Sequence, residues 1–229
     1  MRLIIGNKNY SSWSMRPWVL LKELGIAFEE HKVLFDFAPG SPFYAALQGV
    51  GPAGRVPVVV EADGFSVWDS LAIIEYIAEQ HPDKAVWPRD ARQRAKARAL
   101  CAEMHAGFGK LRGLCPMNIE ADLKALGPKF LAEEPGLVAD LARIDAIWSE
   151  QLAAHGGPFL FGEFGAADAY FAPVVMRVTR YGLPLSAAAH AYAQRVEQTG
   201  AVKAWVADAL QEHVWVAEDE PYRTAPTMG

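Results

Sequence analysis

Arg55-Val56-Pro57-Val58-Val59-Val60 is the stretch on which the fold turns. Consecutive valines make a buried strand, because β-branched side chains suit a pleated surface covered on both faces. Proline is tolerated where such a strand begins; in a central position it would remove a ladder hydrogen bond. Downstream, Ala62-Asp63-Gly64 supplies the turn of a hairpin into Phe65-Ser66-Val67-Trp68, and Asp69-Ser70 starts a helix predicted over 71–80. Upstream, Gly51-Pro52-Ala53-Gly54 closes a loop that also holds Pro39, Gly40, Pro42 and Gly49.

Residues 2–6 are apolar and β-branched enough for a first strand. The segment Tyr10-Ser11-Ser12-Trp13-Ser14-Met15-Arg16-Pro17 then leads into a helix predicted over 14–24 and closed by Gly25. Proline fits a helix only in its first turn, where its missing N–H had no partner, so Ser14 is the expected N-cap, with Ser11 and Ser12 on the approach. Residues 26–35 read as a second strand, with Glu29, His31 and Lys32 interleaved among apolar side chains. The order is β-α-β, a long loop, then β-β-α.

Beyond Pro82 and Pro88 the strand signals disappear. Helical periodicity takes over in 91–114, 135–155, 166–181, 187–198 and 202–213. An α/β N-terminal domain over 1–81 and an all-α C-terminal domain over 90–229 follow, and 229 residues suffice for both.

A hydrophobic content of 52% against 21% charged residues marks a packed globular protein rather than a disordered one. The formal net charge of -5 argues against a nucleic-acid surface, which needs clustered excess Lys and Arg. The opening apolar run is shorter than a signal peptide requires, and no stretch approaches the length of a membrane span, so the expected location is cytoplasmic, with no membrane partner. Cys101 and Cys115 lack a CxxC spacing and are expected as reduced, buried thiols. No His, Cys, Asp or Glu spacing suggests a metal site.

The β-α-β, β-β-α order with a proline entering the third strand is the pattern of a thioredoxin-like domain. With the helical domain behind it, the chain resembles the cytosolic glutathione transferases. Gly51-Pro52-Ala53-Gly54-Arg55-Val56-Pro57 resembles their loop and cis-proline segment, which often reads Asn-Pro-x-Gly-Lys-Val-Pro; Gly51 and Arg55 are the departures. The resemblance implies that Arg55 receives the glycyl carboxylate of glutathione. It also implies a cis Val56–Pro57 bond that lets the Val56 backbone pair with the tripeptide as an added strand. Asp69 and Ser70 would receive the γ-glutamyl end, Ser70 with the helix N-terminus suiting its carboxylate and Asp69 its ammonium.

Ser11-Ser12-Trp13-Ser14-Met15-Arg16 resembles the zeta class most closely, where the motif reads Ser-Ser-Cys-Ser-x-Arg. The mapping makes Ser11 the catalytic hydroxyl, Ser12 its support and Arg16 the positive charge at the cofactor, while Trp13 replaces the zeta cysteine. Tyr10 is the competing hydroxyl, since other classes use an early tyrosine. Trp13, Met104, His105 and Phe108 are the expected lining of the electrophile pocket, with Leu111 and Met117 nearby. Gly165-Ala166-Ala167-Asp168 resembles the family's buried N-capping motif, with Gly165 in the cap position and Asp168 structural.

The implied activity is a glutathione transferase that adds the thiolate to a small hydrophobic electrophile, with glutathione as co-substrate and a homodimer as the expected assembly. The alternatives are a zeta-type glutathione-dependent cis-trans isomerase and a non-catalytic binding module.

Overall fold

The protein is described by a computed structural model over residues 1–223; the last six positions of the expected helical domain lie outside the described residues. Strands β1 (Arg2–Ile5), β2 (Glu29–Lys32), β3 (Val58–Val60) and β4 (Ser66–Trp68) form one sheet in the order β2-β1-β3-β4. β1 runs parallel to β2 and antiparallel to β3, which pairs antiparallel with β4.

Period-two alternation divides the two faces of the sheet. Leu3, Ile5 and Val59 face the main core, while Ile4, Val58 and Val60 face a small cluster with Phe43 and Leu47 of α2 (Pro42–Leu47). On the main-core side lie α1 (Ser12–Glu23) and α3 (Ser70–Gln80). The helical domain adds α4 (Ala91–Ala106), α5 (Gly109–Leu114), α6 (Gly127–Glu133), α7 (Pro135–His155), α8 (Ala166–Tyr181), α9 (Ala187–Gln198) and α10 (Gly200–Ala209).

One continuous core joins the domains, because α1 packs against both α8 and α10. Trp18 of α1 meets Trp205 of α10 edge to face at 5.3 Å. The buried Lys8 ammonium lies 4.4 Å from the Trp18 ring centroid and is bonded to Glu30 (2.8 Å) and Asp208 (2.5 Å), so its charge is compensated from both sides of the boundary.

Several sequence expectations need correction. α1 begins at Ser12 with Ser11 at the N-cap, two residues earlier than expected, and Pro17 sits in the second turn. Ser14 is therefore not the cap: inside the helix, its Oγ accepts from the Gly6 N–H at 3.2 Å and from Ser11 Oγ at 2.7 Å. These bonds tie the segment after β1 to α1.

β2 keeps only four of ten expected residues, since it pairs with β1 alone and β1 offers four ladder positions. The strand expected over 56–60 joins the ladder only from Val58. The helix expected over 91–114 breaks at Gly107 and Phe108, the latter left-handed at φ 55°. The last long helix is Gly200–Ala209, capped by Thr199, rather than 202–213. α2 and α6, each entered through a proline in the first turn, are too short for periodicity to announce. Cys101 and Cys115 are free and buried, and burial pushes the thiols well above their ordinary range, which leaves them inert.

Candidate active site

Two clefts meet at Trp13. The first, about 340 Å³, is bordered by Arg55, Val56, Pro57, Trp68, Asp69, Ser70 and His105. The second, about 330 Å³, is bordered by Ser11, Ser12, an aromatic wall of Phe35, Phe37 and Phe43, and the charged side chains of Arg112, Arg177 and Asp219. Trp13, Arg55 and Val56 belong to both, so the clefts are two halves of one site.

The first cleft is shaped by turn chemistry close in sequence. The Val56–Pro57 peptide is cis, and Arg55 is exposed just before it. Asp69 caps α3 from a left-handed conformation, φ 72°, with Oδ1 accepting from the Leu71 N–H at 2.9 Å. Its Oδ2 lies 3.3 Å from His105 Nε2. Ser70 Oγ lies 3.0 Å from the Tyr170 hydroxyl, which in turn lies 2.8 Å from His105 Nδ1. Burial pushes the Tyr170 hydroxyl up to about 12, so it keeps its proton at neutral pH.

The second cleft carries the hydroxyls. Ser11 Oγ donates to Ser14, whereas Ser12 Oγ accepts from Arg177 Nη2 at 3.3 Å and so keeps its own hydrogen for a ligand. Arg177 is also anchored to the Cys115 and Pro173 carbonyls at 2.9 and 3.2 Å. Burial, and then the neighbouring Arg16, bring its guanidinium down to about 10, which leaves it charged at neutral pH. Asp219 is pushed up to about 6 by burial and by Glu218. Buried guanidiniums held by carbonyls and rings stabilise an anion arriving in the cleft.

Several expected site residues fall elsewhere. Arg16 does not line either cleft: it is 1% exposed, with its guanidinium between the rings of Trp13 (4.0 Å) and Tyr170 (4.3 Å). Its positive charge acts from beneath the floor, and burial lowers it to about 10. Met104 lies in the core on the buried face of α4 that also carries Ala97, Leu100 and Cys101, and Phe108 is buried in the core just past the end of that helix. His105 borders the first cleft, beside Asp69, instead of the second. Tyr10 reaches the second cleft, but its single hydroxyl hydrogen is shared between the Glu220 carboxylate at 2.5 Å and the Val214 carbonyl at 2.9 Å. Burial and Glu220 raise it far above the ordinary phenol range, so it fastens the C-terminal segment.

Arg112, Arg177, Tyr170 and the phenylalanine wall were missed by sequence reasoning. Arg177 did leave a signal: it follows the apolar run 169–176 of α8, and a charge set among apolar side chains is buried only for a reason. Tyr170 and Arg177, two turns apart, share one face of α8.

Asp168 is structural, as expected. Oδ1 accepts from the Leu160 N–H (3.1 Å) and the Tyr192 hydroxyl (2.9 Å), and Oδ2 from the Gly165 N–H (3.0 Å). With glycine in the cap, only the Asp168 half of a reciprocal capping box exists. Among the described residues no cluster of His, Cys, Asp or Glu is placed to hold a metal ion, and no helix is long and apolar enough to cross a membrane.

Comparison with known proteins agrees with this fold. Residues 10–80 match the glutathione S-transferase N-terminal domain and residues 91–208 the C-terminal domain. A probable maleylacetoacetate isomerase of Caenorhabditis elegans is 29% identical over 177 residues, covering 76% of this chain and 77% of the relative. A glutathione transferase homolog from Burkholderia gl BGR1, solved with bound glutathione, superposes with a TM-score of 0.67 at 25% identity, covering 91% and 97% of the two chains. A sphingomonad glutathione S-transferase complexed with glutathione gives a TM-score of 0.64 at 25% identity, covering 91% and 98%.

Proposed function

The chain belongs to the glutathione S-transferase family, and from that premise we propose that it binds glutathione as co-substrate in the first cleft and transfers it to an electrophile in the second. The observation that carries this reading is the junction at Trp13, where a peptide-sized groove with a cis-proline edge opens onto two serine hydroxyls, that of Ser12 backed by Arg177.

Arg55 takes the glycyl carboxylate, the Val56 backbone pairs with the cysteinyl unit, and Asp69 and Ser70 take the γ-glutamyl end. The cysteinyl sulfur then faces Ser11 and Ser12. A free thiol has a pKa near ~8.5, leaving a few per cent thiolate at neutral pH. A hydroxyl hydrogen bond to the charged sulfur, worth about 1.5 to 3 kcal/mol, lowers that pKa by one to two units. The thiol proton leaves to solvent, the sulfur lone pair forms the C–S bond, and the electrophile's π bond or leaving group accepts the displaced electron pair. The phenylalanine wall suits a small hydrophobic electrophile, and holding it beside the sulfur supplies the remaining acceleration.

A second reading is favoured by Arg112 and Arg177 on the cleft wall. Two guanidiniums suit an acidic electrophile, as a glutathione-dependent cis-trans isomerase of an enone acid requires, and the Caenorhabditis elegans relative bears an isomerase name. Incubation with a panel of electrophiles, following glutathione loss and product mass, separates the readings. Net consumption supports transfer, and isomerised product with glutathione conserved supports the second. Retention on immobilised glutathione with neither outcome leaves a binding module.

Arg55→Ala is expected to weaken glutathione about 10- to 100-fold, the loss of one charge-assisted contact, with little change in melting temperature. Equal affinity by calorimetry would remove Arg55 from the site. Tyr10→Phe is expected to leave the bound thiol's pKa where it is and to speed hydrogen exchange over 214–220, since its hydroxyl is committed to Val214 and Glu220. A thiol pKa raised by a unit would instead make Tyr10 the sulfur's donor.

We further propose a cytoplasmic homodimer, which the exposed Phe65 ring beside Tyr76 supports as apolar surface for a second copy to cover; sedimentation tests the assembly.

A further inference from the structure

Resting on the glutathione reading above, we propose that the second cleft takes an electrophile with one carboxylate on an apolar body, and that Asp219 is the specificity-determining residue that turns dicarboxylates away.

Three guanidiniums serve this cleft, Arg112 and Arg177 on its border and Arg16 beneath its floor, and among the described residues their partners are neutral. Arg16 lies between the Trp13 and Tyr170 rings, Arg112 donates to the His105 carbonyl at 3.4 Å, and Arg177 is held by two carbonyls and Ser12. Donors are also left over. Arg112 Nε is buried without a partner among the described residues, and Arg177 uses three of its five N–H groups, which leaves one on each terminal nitrogen. Cations kept out of water with donors to spare call for an anion.

Two anions answer part of that demand. Asp219, from the segment after α10, borders the same cleft and is attracted by Arg177; with its carboxyl at about 6 it is ionised above neutral pH. The glutathione thiolate is the second. Three positive charges against these two leave a place for one more negative charge, a single ligand carboxylate with Arg112 and Arg177 as its donors. Nearby charges do not alter the balance: Glu220 pairs with Arg223 at 3.0 Å, Glu218 is exposed and screened by solvent, and Arg55 is taken by the glycyl carboxylate.

The rest of the ligand meets Phe35, Phe37 and Phe43, whose rings pack at 5.4 to 5.8 Å from one another and offer an apolar wall. A second carboxylate would find no further cation there. The cleft, about 330 Å³, is roughly 7 Å across, less than the ~8 Å screening length, so Asp219 repels a surplus negative charge anywhere within it.

The test is calorimetry near pH 8 on the full chain saturated with glutathione, using three unreactive ligands that share a phenyl ring: phenylacetate, phenylsuccinate and phenylacetamide. Phenylacetate is expected to bind about tenfold or more tightly than either of the others. Asp219→Asn, which keeps the shape and removes the charge, is expected to tighten phenylsuccinate about tenfold and to leave phenylacetamide unchanged. Arg112→Gln is expected to erase the advantage of phenylacetate over phenylacetamide. Phenylsuccinate binding the wild type as tightly as phenylacetate, or gaining nothing in Asp219→Asn, overturns the role of Asp219. Phenylacetate binding no better than phenylacetamide, or not at all, overturns the carboxylate class. Failure of glutathione itself to bind, titrated alone, overturns the glutathione reading instead.

Discussion

Replacing both Ser11 and Ser12 with alanine is expected to raise the pKa of the bound glutathione thiol by about one to two units and to lower kcat/KM near pH 6.5 roughly 10- to 100-fold. The effect is set by one hydrogen bond to a charged sulfur, worth about 1.5 to 3 kcal/mol when water is excluded. The single substitutions should divide it unequally. Ser11 donates to Ser14 and must turn to reach a ligand, whereas Ser12 is held from behind by Arg177 and keeps its hydrogen free. Ser12→Ala should therefore show the larger share, with Ser11→Ala also slowing turnover. Ultraviolet titration of the bound thiolate reads the effect directly. An unshifted pKa in the double variant would leave Arg16 and Arg177 as the source of thiolate stabilisation, since both stay charged at neutral pH, Arg177 on the cleft wall and Arg16 beneath the floor.

Asp168→Ala is expected to cost about 3 to 5 kcal/mol of stability at pH 5, a melting temperature lower by roughly 6 to 20 °C for a chain of this length. Alanine leaves the Leu160 N–H, the Gly165 N–H and the Tyr192 hydroxyl without their acceptor. The cost has a pH dependence of definite sign. Burial raises the Asp168 carboxyl from 3.8 to about 6, against the opposing pull of its three donors. A carboxyl whose pKa is higher in the folded state contributes stability that is full below about pH 3.8 and is lost as pH rises through about 6. The penalty of Asp168→Ala should thus be larger at pH 5 than at pH 8. Asp168→Asn, which cannot ionise, should flatten the wild-type stability profile between those limits. A cost below 1 kcal/mol, or one that grows with pH, would remove Asp168 from its structural role.

Both sites illustrate how legibility depends on the range of the interaction. That Arg55, Pro57, Asp69 and Ser70 border one cleft follows from a turn, a strand entry and a helix cap that each need particular residue types within a few positions. The Asp168 motif was readable for the same reason. His105 and Met104 were not, because periodicity groups residues on a face of α4 without saying whether that face meets a core or a cleft. Packing settled it for Met104, which shares the buried face of α4 with Ala97, Leu100 and Cys101.

The sequence by itself determined the order of the strands and the long helices and the succession of an α/β by an all-α domain, because these rest on local backbone preferences. Only the tertiary structure decided where the charges stand. Arg16, adjacent to the serines in sequence, is sealed between two rings, while Arg177, 165 residues from Ser12, supplies the guanidinium that touches its hydroxyl. Lys8 is buried because two domains each bring it a carboxylate. The physical reason is that a buried charge is tolerated only where partners from distant segments converge, and that convergence exists only once the core has closed.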